Sequence, residues 1–365
     1  MRNIDKNKII ISTGGTGGHI FPAYSLAKNF IKNHYSVDII TDKRGLKYLD
    51  NNNNKSIKLI INSSATIFKK NIINLFLSVF IIFFSYIKSL VILYRAKPIV
   101  VFGMGGHASF PVCIAARTLK IPFIIYENNI QIGKSNRYLL PFALKIFVSY
   151  QDLVGIKNKY YNKVIVTGNI IREEFLNFKK NNQFTSEVLN ILVLGGSQAA
   201  KSFGELLPGV FEQCVKANVK IKVFQQCVKS QTENLNKKYK NLDFAFELFN
   251  FTENISEYFS KTELVITRSG SSVTAELINC NIPFISIPYP HATDSHQDKN
   301  ATYFEKKGYG YLIKETEVNN KLFPLIKLFY KDKKLLDQII EKQKEHSDKE
   351  VFLKINKVIK DLKDE

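Results

Sequence analysis

Cysteine is scarce, and the four present, Cys113, Cys214, Cys227 and Cys280, are scattered with no C-x-x-C pair and no histidine in register. That spacing speaks against a metal ribbon or a disulfide framework and reads as buried thiols in a reducing compartment. Acidic residues are also few, 32 against 52 lysines and arginines, for a formal net charge of +20. Part of the excess belongs to a general over-use of Lys, Asn and Ile, as in the run Asn51-Asn52-Asn53-Asn54. A basic surface still favours anionic partners: phosphate-bearing ligands, acidic lipid or nucleic acid. No zinc-finger spacing, recognition helix or RNP aromatic signature is present, which places nucleic acid last. The opening residues, MRNIDKNK, lack a signal-peptide h-region and run straight into a strand, so the expected compartment is the cytoplasm.

What the chain does have is an alternation of short apolar runs with helical patterns, which argues for parallel α/β architecture. Its 365 residues suit two domains of about 150–180 residues better than one core. Strands are expected at Lys8–Ser12, Val37–Thr41, Ile57–Ile61, Pro98–Phe102, Phe123–Tyr126, Lys145–Ser149 and Lys163–Val166. After a polar linker from Arg172 to Glu187 they resume at Asn190–Leu194, Lys220–Phe224, Asp243–Leu248, Leu264–Thr267, Phe284–Ile287 and Tyr309–Ile313. The expected fold class is α/β, with two Rossmann-like, doubly wound parallel-sheet domains facing across a cleft. Their expected limits are 1–172 and 173–345, with a helical tail, 346–365, packing back on the first.

The stretch KIIISTGGTGGHIFPAYSLAKNF, Lys8 to Phe30, ends a β-branched run in four glycines and a histidine before a helical pattern. Glycine at such a junction lets the backbone turn sharply and approach a ligand, and the helix start offers N–H groups to an anion. Comparable turns stand at Gly103–Gly106 and Gly195–Ser197. None carries the Lys-Ser/Thr of a P-loop, which disfavours an ATPase or kinase. Each alone reads equally as a tight βα connection. Three, spread over both halves, favour a phosphorylated ligand. The middle turn satisfies G-x-G-x-x-A, with Glu127 spaced for a ribose contact, and is the only feature pointing to a dinucleotide oxidoreductase. His19, in the first turn of its helix, is either a packing or capping residue or a histidine kept neutral by the helix dipole, suited to general base work.

The second half carries TRSGSSVTAELINCNIPFISIPYP, Thr267 to Pro290. Glu276 lies about one and a half turns into the helix that starts at Ser271. It is either an exposed helix glutamate or a carboxylate placed to accept both hydroxyls of a ribose while the helix start faces phosphate. HATDSHQDKNA then adds His296, Gln297 and Asn300, whose amides can read sugar hydroxyls.

In this order, GGTGGHIFP, GMGGHASFP, YENN, GNIIR, LGGSQAA, TRSGSSVTAE and HQDKNA resemble glycosyltransferase family 28. More narrowly, they resemble the bacterial members that transfer N-acetylglucosamine from UDP-N-acetylglucosamine to undecaprenyl-pyrophosphoryl-N-acetylmuramoyl-pentapeptide, the lipid I to lipid II step of peptidoglycan synthesis. The resemblance spans residues 8 to about 310. It implies a GT-B fold, inversion at the anomeric carbon, no metal or other cofactor, and a peripheral place on the cytoplasmic face of the inner membrane. It implies UDP-sugar contacts from Thr16, Gly17, Gly18, Asn129, Arg172, Ser197, Thr252, Ser271, Ser272, Val273, Thr274, Ala275, Glu276 and Gln297. Glu276 would hold the ribose diol and Thr252 would lie near the uracil. Gly14, Gly15, Gly103, Gly105, Gly106 and His107 fall to the acceptor diphosphate. His19 is the expected base for the acceptor 4-hydroxyl, with Glu127 the second candidate. Three positions depart from the family pattern: Asn128 stands where glutamine is usual, Ala199 where glycine is, and His107 where tyrosine is common.

The segment Lys69 to Pro98 is the most apolar in the chain. Its uninterrupted core, Leu75–Ile87, would make about 20 Å of helix where a span needs roughly 30 Å. It also falls between two strands of one expected sheet, which weighs against spanning. Phe76, Phe80, Phe83, Ile87 and Val91 share one stripe, and only Asn74, Ser78, Ser85 and Ser89 form a polar line. The segment is either an unusually apolar core helix or one that leaves a face, flanked by Lys69 and Lys70, for an anionic bilayer. Other readings of the whole chain are a different UDP-sugar glycolipid transferase of the same architecture and a non-catalytic sugar-nucleotide binder; the retained His19 and glycine turns argue against the latter.

Overall fold

The computed structural model describes residues 5–49, 56–64, 72–179, 187–252 and 254–364, with only the backbone described at 72–75 and 197–200. The chain divides into two compact units: Met1–Arg172 with Asp348–Glu365, and Glu173–Ser347.

Among the described residues, the first unit holds seven strands: β1 (Asp5–Ser12), β2 (Ser36–Thr41), β3 (Lys58–Ile61), β4 (Pro98–Gly103), β5 (Phe123–Glu127), β6 (Lys145–Val148) and β7 (Val164–Val166). They form one parallel sheet in the order β3-β2-β1-β4-β5-β6-β7. Helices cover both faces, so central strands need apolar side chains on both sides and read as unbroken runs. In β1 the alternation of side chains divides the isoleucines. Ile9 and Ile11 pack with Leu26 and Phe30 of helix Gly17–Lys32 and with Ile355 and Ile359 of the C-terminal helix Val351–Asp364. Ile10 packs on the other face with Val112, Ala115 and Ala116 of helix Gly106–Thr118. The chain winds from β1 outward to β3, then returns through helix Ile72–Ala96 to β4 on the other side of β1. The carboxyl ends of β1 and β4 therefore flank a topological switch point, where open α/β sheets bind their ligands.

The second unit repeats the plan with β8 (Leu189–Leu194), β9 (Ile221–Gln226), β10 (Ala245–Phe249), β11 (Leu264–Thr267), β12 (Phe284–Ser286) and β13 (Tyr311–Leu312). These are parallel in the order β10-β9-β8-β11-β12-β13, with the switch point between β8 and β11. Its core joins Val193 and Ile266 to Phe203, Phe211 and Phe329 from the covering helices. The linker expected from Arg172 to Glu187 contains the single-turn helix Glu173–Leu176. All four cysteines are buried free thiols.

Candidate active site

At the switch point of the first unit the two glycine turns lie against each other. Gly15, Gly105 and Gly106 have φ of 87°, 86° and 73°, left-handed conformations that favour glycine. The close approach requires glycine as well. A Cβ on Gly14 would lie 2.5 Å from the Cβ of Ala108, and one on Gly106 would lie 3.4 Å from the carbonyl oxygen of Gly14.

The ring of His19 rests on the second turn. A Cβ on Gly105 would stand 3.1 Å from its Cε1 and 3.2 Å from its Nδ1, and one on Gly106 would stand 3.5 Å from Cδ2. The backbone of His19 is pinned at both ends: its N–H donates to the Thr16 carbonyl (3.1 Å), and its carbonyl accepts from Thr13 Oγ1 (3.0 Å). His107 follows the second turn. Burial, and then the charge of Arg44, lower its pKa, which favours the neutral ring.

The loop after β5 joins this group. Asn128 Nδ2 donates to the Gly18 carbonyl (3.1 Å). Glu127 is buried, and its carboxylate accepts from Asn129 N–H (3.1 Å), Asn129 Nδ2 (3.0 Å), Gly133 N–H (2.8 Å) and Asn136 Nδ2 (2.9 Å). A carboxylate engaged on both oxygens by four donors is built to hold its loop. Arg172 places its guanidinium 5.3 Å from the ring centre of Phe21, beside the first glycine turn; a Cβ on Gly17 would come within 2.8 Å of that same ring. The first unit thus gathers Thr16–His19, Gly103–His107, Glu127–Asn129 and Arg172.

Sequence reasoning passed over Asp42, which follows β2 directly and is buried at the foot of the first turn. It accepts from Gly15 N–H (3.1 Å) and also caps the single-turn helix Lys43–Leu46 through Gly45 N–H (2.8 Å).

In the second unit, helix Gly196–Lys216 starts just after β8 and helix Ser271–Asn279 just after β11, which directs the starts of both helices to the switch point. The loops are stitched by Thr267 Oγ1 donating to the Leu194 carbonyl (3.1 Å) and Asn300 Nδ2 donating to the Ser269 carbonyl (3.1 Å). Ser271, Thr274, Ala275 and Glu276 are buried and Ser272 and Val273 half-buried; Glu276 is therefore not an exposed helix glutamate. Ser197 falls in the first turn of its helix. Gln297 is fixed by accepting from Tyr289 N–H (2.9 Å). Thr252 follows β10 at the sheet edge, where its hydroxyl accepts from Asn254 N–H (3.1 Å).

A second residue missed in the sequence, Arg268, holds this side together. Its buried guanidinium donates to the carbonyls of Ile287 and Pro288 (3.0 Å each) and to Ser202 Oγ (2.5 Å), pairs with Glu315, and lies over the rings of Phe203 and Tyr289. Asp42 in the first unit and Arg268 in the second are thus buried charged hubs beside the switch points. A charged residue straight after an apolar strand is the only sequence signal either gives. Among the described residues, no three His, Cys, Asp or Glu side chains form a set that could hold a metal ion.

The crossover helix Ile72–Ala96 is turned inside out. Ser78, Ser85, Ser89 and Leu93 are buried, on the side that packs on helix Gly106–Thr118. Asn62 Nδ2 donates to the Ser85 carbonyl (3.1 Å) and Ser89 Oγ (2.9 Å). Phe76, Phe80 and Phe83 are 72%, 63% and 54% exposed, and Leu77, Val79, Phe84, Ile87 and Val91 are exposed with them. By length and composition, Phe76–Ala96 could also cross a membrane. The helix runs beyond the apolar core counted in the sequence, through Lys88 to Ala96, and joins two strands of one sheet. Lys69 and Lys70 lie outside the described residues.

Comparison with known proteins agrees across the chain. The glycosyltransferase family 28 N-terminal domain matches residues 9–148 and the family 28 C-terminal domain matches residues 190–356. Two curated relatives carry the name UDP-N-acetylglucosamine–N-acetylmuramyl-(pentapeptide) pyrophosphoryl-undecaprenol N-acetylglucosamine transferase. The one from Pelagibacter ubique is 33% identical over 86% of this chain and 86% of its own length. The one from Rickettsia bellii is 34% identical over 87% and 90%. Among solved structures, Acinetobacter baumannii MurG superposes with a TM-score of 0.77 at 22% identity, covering 97% of this chain and 99% of that one.

Proposed function

The chain belongs to glycosyltransferase family 28, and from that membership we propose that it transfers N-acetylglucosamine from UDP-N-acetylglucosamine to the 4-hydroxyl of undecaprenyl-linked N-acetylmuramoyl-pentapeptide, converting lipid I to lipid II. The observation that carries this reading is the His19 ring laid on Gly105 and Gly106, which joins a titratable nitrogen heterocycle to two turns able to receive phosphate.

In the reaction His19 takes the proton of the acceptor 4-hydroxyl. The freed oxygen forms its bond to the anomeric carbon on the face opposite UDP, the bond from that carbon to the β-phosphate oxygen breaks, and UDP leaves with the electron pair. Attack from the opposite face inverts the centre. Glu127 holds the Asn128–Asn129 loop beside the turn, and its four hydrogen bonds favour His19 over it as the base. Negative charge gathers on the departing diphosphate, and the fixed N–H groups at the starts of helices Gly196–Lys216 and Ser271–Asn279 suit its stabilisation. Glu276 takes the ribose hydroxyls, with Ser197, Thr252, Gln297 and the Ser271–Ala275 turn on the second unit, and Thr16–Gly18, Asn129 and Arg172 on the first, serving the rest of the donor. Gly14, Gly15, Gly103, Gly105, Gly106 and His107 receive the acceptor diphosphate.

The protein works as a peripheral enzyme on the cytoplasmic face of the inner membrane, with residues 1–172 as its acceptor and membrane side and 173–345 as its UDP-sugar side. The exposed phenylalanines of helix Ile72–Ala96 and the net charge of +20 support that placement on an anionic bilayer.

Two substitutions test the roles. His19→Ala should keep donor affinity and lower kcat by on the order of 10²–10⁴. Glu276→Ala should weaken donor binding by roughly 10- to 100-fold, the worth of hydrogen bonds to a charged group. Equal losses of donor binding and turnover in His19→Ala would remove it as the base.

A further inference from the structure

Asp42 is held by more donors than a helix cap needs. Its Oδ1 accepts from Gly15 N–H and Gly45 N–H, and its Oδ2 from Arg44 Nε (3.1 Å), Arg44 Nη2 (2.9 Å) and Ser64 Oγ (2.7 Å). Burial alone would raise its pKa, but the bonds from Ser64, Gly45, Gly15 and Arg44 outweigh that and bring it to about 2. Capping the short helix requires only the Gly45 bond. The remaining contacts reach the first glycine turn and a guanidinium.

Arg44 itself is poised for a ligand. Its side chain is 65% exposed while its partner is buried. Nη2 lies 3.9 Å from where a Cβ on Gly15 would stand, and its charge reaches His107 beyond the second turn. Asp42 takes the Nε–Nη2 edge of the fork, which leaves Nη1 outside that grip. A planar guanidinium can be clamped on one edge and still pair with a phosphate oxygen on the other; a lysine cannot do both.

We propose that Arg44 binds the diphosphate of the lipid-linked acceptor, and that Asp42 is the positioning residue that fixes both this guanidinium and the first glycine turn. This rests on the glycine turns being the acceptor side of a family 28 transferase. The carboxylate does not repel the acceptor strongly, because its charge is already shared among donors from four residues.

The experiment compares Arg44→Gln, Arg44→Lys, Asp42→Asn and the exposed neighbour Lys43→Gln as full-length proteins. Arg44→Gln should raise the acceptor KM about tenfold or more, with donor KM unchanged and a thermal midpoint lowered no further than in Asp42→Asn. Arg44→Lys should recover part of that loss. Asp42→Asn should raise acceptor KM and lower kcat while donor KM stays, and Lys43→Gln should match the wild type. Calorimetric titration with inorganic pyrophosphate, with UDP present to occupy the donor side, reads the same site without turnover; binding should weaken in Arg44→Gln. A wild-type acceptor KM and unchanged pyrophosphate binding in Arg44→Gln would overturn the proposal while leaving the transferase reading intact. Failure of the wild type to transfer at all would strike that reading, and the pyrophosphate titration would still decide whether Arg44 binds a diphosphate.

Discussion

Replacing Gly105 with alanine perturbs the candidate active site where its backbone meets the His19 ring. Gly105 has φ of 86° and ψ of −176°, a region essentially confined to glycine, and an alanine held there costs about 1–3 kcal/mol. Its Cβ would also meet the His19 ring at 3.1–3.2 Å. The ring must yield, because the bonds from Thr13 Oγ1 and to the Thr16 carbonyl hold the backbone that carries it. At 3.1–3.2 Å the ring need give only a few tenths of an ångström, and since a full 1 Å costs on the order of 10²-fold in rate, this smaller displacement costs about tenfold. Gly105→Ala should therefore lower the urea midpoint by the equivalent of about 2 kcal/mol and reduce kcat about tenfold, with donor affinity unchanged. Gly209→Ala is the counterpart. It sits in helix Gly196–Lys216 with nothing within 4 Å of the added carbon, so it should gain about 0.5–1 kcal/mol and leave kinetics alone. A Gly105→Ala protein with wild-type midpoint and kcat would refute the role given to the ring-on-glycine contact.

Two further outcomes follow from exposure and charge. Phe76, Phe80 and Phe83 together leave roughly 350 Å² of ring surface in water, worth about 9 kcal/mol if fully inserted into lipid. Their joint replacement by serine should lower binding to anionic vesicles at least about 10³-fold, even if the rings insert only halfway, with an unchanged unfolding midpoint; unfolding instead would place the stripe in the core. Asp42 titrates near 2 in the folded protein against about 3.9 when unfolded. Its stabilising contribution is therefore fully present above about pH 4 and lost as pH falls through about 2. Acid unfolding curves should show Asp42→Asn less stable at neutral pH and less sensitive to acid over that window; parallel curves would remove Asp42 from the acid response.

Parallel strands were legible because burial on both faces leaves little room for anything but runs such as Ile9–Ile11 and Leu264–Thr267. Strand ends were less so. The expected Tyr309–Ile313 shrinks to Tyr311–Leu312, and Gly310 lies so close to Phe284 that a Cβ would stand 2.6 Å from its carbonyl oxygen. The expected strand from Asp243 begins at Ala245, with Asp243 in a left-handed conformation, φ 51°. Glycine turns announce themselves as turns, but nothing local reveals that Gly105 faces His19 or that Gly14 faces Ala108. Asp42 and Arg268 were invisible for the same reason: a lone charged residue after a strand is ordinary loop composition until its donors or acceptors converge from distant segments. In helix Ile72–Ala96 the serines were legible as a line, and their small size decided that this line, not the aromatic one, is buried against helix Gly106–Thr118.

The most direct measurement is transfer of radiolabelled N-acetylglucosamine from its UDP conjugate to a short-chain lipid I analogue, with a chelator present. A labelled disaccharide-lipid product, formed equally well with and without chelator, is the expected result. No product while UDP-N-acetylglucosamine still binds would contradict the acceptor assignment and point to the same fold serving another glycolipid; no binding of the donor either would contradict the account at its root.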